Sequence, residues 1–256
     1  MMKVVALANQ KGGVGKTTTT INLGAYLANE GQRVLIIDID PQGNAGSGLG
    51  LNIAEAKNTI YHWLIGTDDT SPAQPTNQPN LKIIPANIDL SGFEIDVRDN
   101  ANRDFVLKDR LKTLANDFDF VLIDCPPSLG ILTINALTAA NSVLIPLQCE
   151  YFALEGLTQL LRIINLVRTK LNTALEIEGV LLTMFDARTR LASQVVQDVR
   201  EHFKKQVYDV IIPRNVKLSE APSFGQPISV YDPQSTGAIA YKTLAKDLLS
   251  RQKVAV

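Results

Sequence analysis

Short apolar runs, most of them rich in β-branched residues, recur along the chain at 4–8, 34–37, 81–85, 120–123, 143–146 and 179–183. Runs of this length without alternation predict strands covered on both faces. Between many of them, apolar residues at helical spacing predict helices over 17–29, 105–116, 132–140, 154–171 and 191–203. A closing helix is predicted over 237–251, with Leu244, Leu248 and Leu249 on one side. Alternating strands and helices predict an α/β fold, a mostly parallel twisted sheet flanked by helices on both faces. The pattern breaks at 68–80, where Pro72, Pro75 and Pro79 stand among Ser, Thr, Asn and Gln. Proline removes a backbone donor and fixes φ, so a surface loop is predicted there. A linker between two domains is the competing reading, but the piece before it is too short for its own core, and one domain over 1–256 is expected.

Composition narrows the class. The chain has 256 residues, 45% of them hydrophobic, and 25 Lys and Arg against 26 Asp and Glu. That balance excludes a disordered or fibrous chain. The longest apolar runs fall far short of the ~20 residues that cross a bilayer, so no transmembrane helix is expected. Met1, Met2 and Lys3 lead straight into the first strand-like run without the apolar stretch of an export signal, and the expected compartment is the cytoplasm. Cys125 and Cys149 have 23 residues between them and no His or Cys at ligand spacing, which argues against a disulfide framework or a zinc site. Residues 1–185 carry 14 basic and 19 acidic side chains, and residues 186–256 carry 11 and 7. Such a mild late surplus of positive charge is ordinarily a solvated face.

The chemistry is concentrated after the first strand. Asn9 to Thr18 reads Asn-Gln-Lys-Gly-Gly-Val-Gly-Lys-Thr-Thr and runs into a helix. This is a phosphate-binding loop: Gly12, Gly13, Val14 and Gly15 supply converging N–H groups, and Lys16 places its charge on the β and γ phosphates. Thr17 offers a hydroxyl to Mg2+, Thr18 follows on the helix, and the helix adds its positive dipole end. The general pattern begins with Gly, whereas this chain has Gln10. Asp124 ends the 120–123 run, at the edge where a parallel sheet presents its ligand crevice, and suits a water-mediated Mg2+ contact. The 34–37 run ends in Asp38 and Asp40, which strand alternation would place on one side, both aimed at the phosphates. Asp40 is the choice for orienting the attacking water; Asp38 is read as catalytic beside it, or else as holding the metal shell or the loop.

A second lysine, Lys11, precedes the two glycines. At this point the sequence resembles the deviant Walker A ATPases, and within them the ParA and Soj proteins of DNA partition. The resemblance covers 9–20, 35–50, 123–136, 146–156, 179–188 and 212–227, including Asp-Pro-Gln-Gly-Asn at 40–44 and Leu-Ser-Glu-Ala-Pro-Ser-Phe-Gly at 218–225. The partition subgroup is similar at Gln10 as well. The resemblance implies an ATP- and Mg2+-dependent homodimer in which Lys11 reaches the partner's nucleotide, Lys16 and Thr17 act in their own subunit, and Asp40 positions water. It implies that residues 183–185, with Met184 and Phe185, and Pro213, Arg214 and Asn215 lie near the adenine. It further implies weak ATPase activity stimulated by a ParB-like centromere-binding protein, and non-specific double-stranded DNA binding on the nucleoid. Arg188 and Lys217 match positions where the family places DNA-contacting basic residues, and Arg190 lies beside the first.

Three rivals share the loop. A MinD-like division-site ATPase would end in a basic amphipathic helix that binds membrane; the tail has Leu244, Leu248, Leu249, Lys246, Arg251 and Lys253, but such a stripe usually packs on its own domain, and no membrane partner is expected. A nitrogenase-type iron protein needs bridging cysteines, and Cys125 reads instead as a small core residue. A metabolic ligase or kinase would respond to a small substrate rather than to DNA and an adaptor.

Overall fold

The computed structural model describes residues 2–66, 70–114, 116–150 and 153–254, with side chains at 153–155 and 253–254 left aside. Seven strands, β1 (Lys3–Leu7), β2 (Val34–Asp38), β3 (Gln74–Pro75), β4 (Leu81–Ile84), β5 (Phe120–Asp124), β6 (Ser142–Gln148) and β7 (Glu176–Thr183), form one sheet. Their order is β3-β4-β2-β5-β1-β6-β7. Every pairing is parallel except β3 with β4. The two-residue β3 lies within the segment expected as a loop; its Pro75 suits the sheet edge, where a missing N–H costs no ladder bond. The part of that segment at 68–69 lies outside the described residues, as does residue 115 within the predicted 105–116 helix.

Strand alternation divides the core in two. Val4, Ala6, Leu35 and Ile37 face one side, where the helices Ile131–Ala139, Ala153–Lys170 and Arg190–Phe203 cover them. Val5, Leu7, Val34 and Ile36 face the other, beneath Lys16–Asn29 and the closing helix Thr236–Val254. Continuous apolar runs therefore mark strands with no solvent face. The helix 105–116 expected from periodicity is shorter, Val106–Lys112, and ends in turns. Leu244 and Leu248 are fully buried, so the closing helix spends its apolar side on its own domain. Among the described residues no helix is long and apolar enough to cross a membrane.

The topology locates the site. The chain leaving β1 returns to the sheet at β2 on one side, and the chain leaving β5 returns at β6 on the other. Such a reversal opens a crevice at the carboxyl ends of the strands. Register brings Leu7 level with Asp124, and Asp124 level with Asp38, so two carboxylates border the end of β1.

Candidate active site

The glycine loop lies in that crevice, and residue type explains its path. Gly13 and Gly15 have φ of +73° and +89°, left-handed values that any side chain would strain. Asn9 anchors the entry: its Nδ2 donates to the Pro146 carbonyl at 2.7 Å, and its Oδ1 accepts from the Lys11 N–H at 3.0 Å. Gly15 then opens the helix Lys16–Asn29, whose first N–H groups no side chain caps. They remain available to an anion.

Lys16 is only 7% exposed, and its Nζ donates to the Lys11 carbonyl at 3.3 Å. Burial lowers its pKa, opposed by Asp124, Cys125 and Asp40. Asp124 is fully buried; the Thr20 hydroxyl donates to its Oδ1 at 3.1 Å. Burial raises the Asp124 pKa to about 6 even though the Thr17 and Thr20 hydroxyls and Lys16 pull it down. Thr17 is thus close, yet among the described residues no donor meets Oδ2 with hydrogen-bond geometry. A spare carboxylate oxygen beside a threonine hydroxyl is the donor set that hydrated Mg2+ takes, so Thr17 and Asp124 fit that ion.

The two aspartates after β2 separate. Asp38 is fully buried, with Oδ1 accepting from the Asp40 N–H at 3.0 Å and Oδ2 from the Ala45 N–H at 2.9 Å. Alternation does not carry both toward the phosphates, because the strand ends at Asp38 and the backbone turns around its carboxylate. Of the three readings of Asp38, catalytic, metal-shell and loop-holding, the bonds support the last. Asp40 instead lines a cavity of about 690 Å3 with Gly12, Gly13, Gly15, Lys16, Thr17, Thr18 and Met184. Its Oδ1 accepts from the Gln42 N–H at 3.0 Å. Val14 is buried and lines neither this cavity nor the adjoining one.

A smaller adjoining cavity, about 370 Å3, is lined by Gly15, Thr18, Thr183, Met184, Pro213, Arg214 and Asn215 among others. This places the expected base contacts together, with one exception. Phe185 lines neither cavity; its backbone pairs with Ile212 and Arg214, and its ring packs on the opposite core face. Met184 has φ of +52°, a left-handed non-glycine conformation at the junction of both cavities. Asn22, Asn44, Pro222, Ser223 and Gln226, to which the sequence analysis assigns no site role, also line the larger of the two cavities. Pro222, Ser223 and Gln226 arrive beside a distant contact: Gly225, at φ +63°, lies so close to Gly50 that a Cβ there would sit 2.6 Å from the Gly50 Cα. The Asn22 Oδ1 secures the same segment by accepting from the Ile228 N–H at 2.7 Å.

Lys11 lies outside both cavities. Its Nζ pairs with Glu150 of its own chain at 3.0 Å, and Arg214 approaches the same carboxylate at 3.8 Å. Farther along, the backbone pairing of Phe185 with Pro213 joins the 186–190 loop to the 214–217 segment. Arg188 forms two short bonds to Asp186, at 2.8 and 2.6 Å, and holds that carboxyl well below the usual range. Lys217 pairs with Glu220 at 2.9 Å, and Arg190 opens the helix Arg190–Phe203.

Fold and site define a P-loop ATPase. A family model described as an AAA domain matches residues 2–177. The chain is 55% identical over 249 residues to the sporulation initiation inhibitor protein Soj of Bacillus subtilis, covering 97% of this chain and 98% of that one. It is 54% identical over 255 residues to the chromosome partitioning protein ParA of Caulobacter vibrioides, covering 98% and 96%. It thus belongs to the Soj and ParA family of chromosome-partitioning ATPases. Among solved structures, cobyrinic acid a,c-diamide synthase from Mycobacterium smegmatis with a bound ATP analogue and magnesium superposes with a TM-score of 0.90 at 40% identity, covering 100% of this chain and 97% of that one. ATP and Mg2+ are the cofactors, and the activity is ATP hydrolysis.

Asp38 and Asp124 also set a pH dependence. Burial raises the pKa of both, that of Asp124 to about 6. A carboxyl whose folded pKa exceeds its unfolded value of about 3.9 makes the folded state bind more protons, so stability falls as pH rises through that window. The nucleotide-free chain is expected to melt at progressively lower temperature between about pH 4 and pH 6. Asp124→Asn should flatten part of this fall in calorimetry across the window; an unchanged slope contradicts the assignment.

Proposed function

We propose that the chain moves DNA cargo by cycling between an ATP-bound dimer on non-specific DNA and a released form, with hydrolysis stimulated by a ParB-like centromere-binding protein at the nucleoid. The observation that carries this is the position of Lys11: its own nucleotide cavities are complete with Lys16, while Lys11 stands outside them. Such a lysine serves a nucleotide presented by a second copy. Bound Mg2+ would neutralise charge developing on the phosphates, while Lys16 and the loop N–H groups hold them and Asp40 orients water.

The basic loops supply the DNA contacts in this reading. In one protomer Arg188 and Lys217 are each compensated by a carboxylate, so a single copy offers little net charge. Two copies presenting Arg188, Arg190 and Lys217 would give a salt slope of about −5, and one copy about half that. Mobility shift on unrelated duplexes should require ATP, weaken steeply with salt, and fall at least tenfold for Arg188→Glu or Lys217→Glu while ATP binding persists. Asp186→Asn, which keeps the turn acceptor and removes the charge, should strengthen binding. Equal shifts with ADP and ATP would overturn the cycle. Stimulation by a small carboxylic acid and not by DNA would favour a synthase instead.

A further inference from the structure

The phosphate loop is held from behind by one buried hydroxyl. Thr183, 2% exposed at the end of β7, donates from Oγ1 to the Val14 carbonyl at 2.8 Å, across 169 positions of sequence. A trans peptide is planar, with its carbonyl and N–H pointing in opposite directions. Fixing the Val14 carbonyl toward β7 therefore aims the Gly15 N–H away from it. Gly15 lines both cavities and has φ of +89°; the peptide after it is held by the Thr19 N–H, which donates to the Gly15 carbonyl at 2.9 Å, and the peptide before it is the one that Thr183 holds. The next residue after Thr183 is Met184, which lines both cavities as well. The same short segment thus touches the base side and grips the phosphate side.

We propose that Thr183 is a positioning residue for ATP: its hydroxyl locks the 14–15 peptide so that the loop meets the phosphates already oriented. This deepens the ATPase assignment and rests on it. Thr183→Val preserves shape and burial but removes the donor, leaving the Val14 carbonyl unsatisfied. The expected result is at least a tenfold rise in KM for ATP, with kcat reduced less. Thr183→Ser, which restores the hydroxyl, should return KM to within about threefold of the parent. Ser142→Ala is the structural control, because the buried Ser142 hydroxyl donates to Glu178 at 2.5 Å at the amino end of β6, the opposite end of the strands from the nucleotide cavities. It should lower the melting temperature and leave KM in place. The proposal is overturned if Thr183→Val keeps KM within twofold, if Thr183→Ser is as defective as Thr183→Val, or if Ser142→Ala raises KM equally. Full turnover in Lys16→Ala would instead overturn the site itself.

Discussion

Lys16→Ala is expected to reduce ATP turnover by two to three orders of magnitude, the loss typical when a preorganised charge donor to a developing anion is removed. The side chain is 7% exposed, its amine bonded to the Lys11 carbonyl and drawn on by the charges of Asp124 and Asp40. Water entering the vacancy would screen the phosphates but not orient them. The substitution also removes the main positive partner of two buried or half-buried carboxyls. With Lys16 gone, the Asp124 pKa should rise further, because Lys16 is among the groups pulling it down. Single-turnover hydrolysis measures the first effect. Binding of a fluorescent ATP analogue separates it from loss of affinity, and retained turnover would remove Lys16 from the chemistry.

That site was legible in sequence because its determinants are local. Gly13, Gly15, Lys16 and Thr17 are consecutive or nearly so, and a loop that must expose N–H groups leaves glycines as its record. Strands were legible for a related reason: a parallel sheet buried on both faces demands unbroken apolar runs, and the six predicted runs all fall on strands. Asp38 shows where local reasoning fails. Alternation applies only while the strand lasts, and the strand ends at the residue whose carboxylate turns the chain. Ser223 and Gln226 were illegible because they reach the cavity through the Gly50 and Gly225 approach, and a contact between glycines 175 positions apart leaves no periodic trace. The Thr183 bond is invisible for the same reason. The ion pairs of Arg188 and Lys217 sit two and three residues away in sequence, yet charge counting over 71 residues averaged them into a surplus.

Lys11→Ala and Asp40→Ala should fail in opposite ways. Lys11 donates to no group of its own cavity, and its exposed ion pair with Glu150 contributes at most about 1 kcal/mol, so a phosphate from a second copy can displace it. Removing Lys11 should leave ATP affinity near that of the parent, since Lys16 and the loop remain, but the protein should stay monomeric. Asp40 is different: it lines the cavity, and among the described residues its side chain bonds only the local Gln42 N–H, so its removal should spare both assembly and nucleotide binding. Without a group to orient water, the ATP-bound dimer should persist and hydrolysis should drop by about two orders of magnitude. Asp38 must be kept intact in this test, because its carboxylate holds the Asp40 and Ala45 backbone and its loss would displace the whole turn. Analytical ultracentrifugation with Mg-ATP distinguishes the two variants directly: one slow boundary for Lys11→Ala, one fast and long-lived boundary for Asp40→Ala. If both sediment alike, Lys11 does not act across a dimer, and the nucleotide dependence of DNA binding must have another origin.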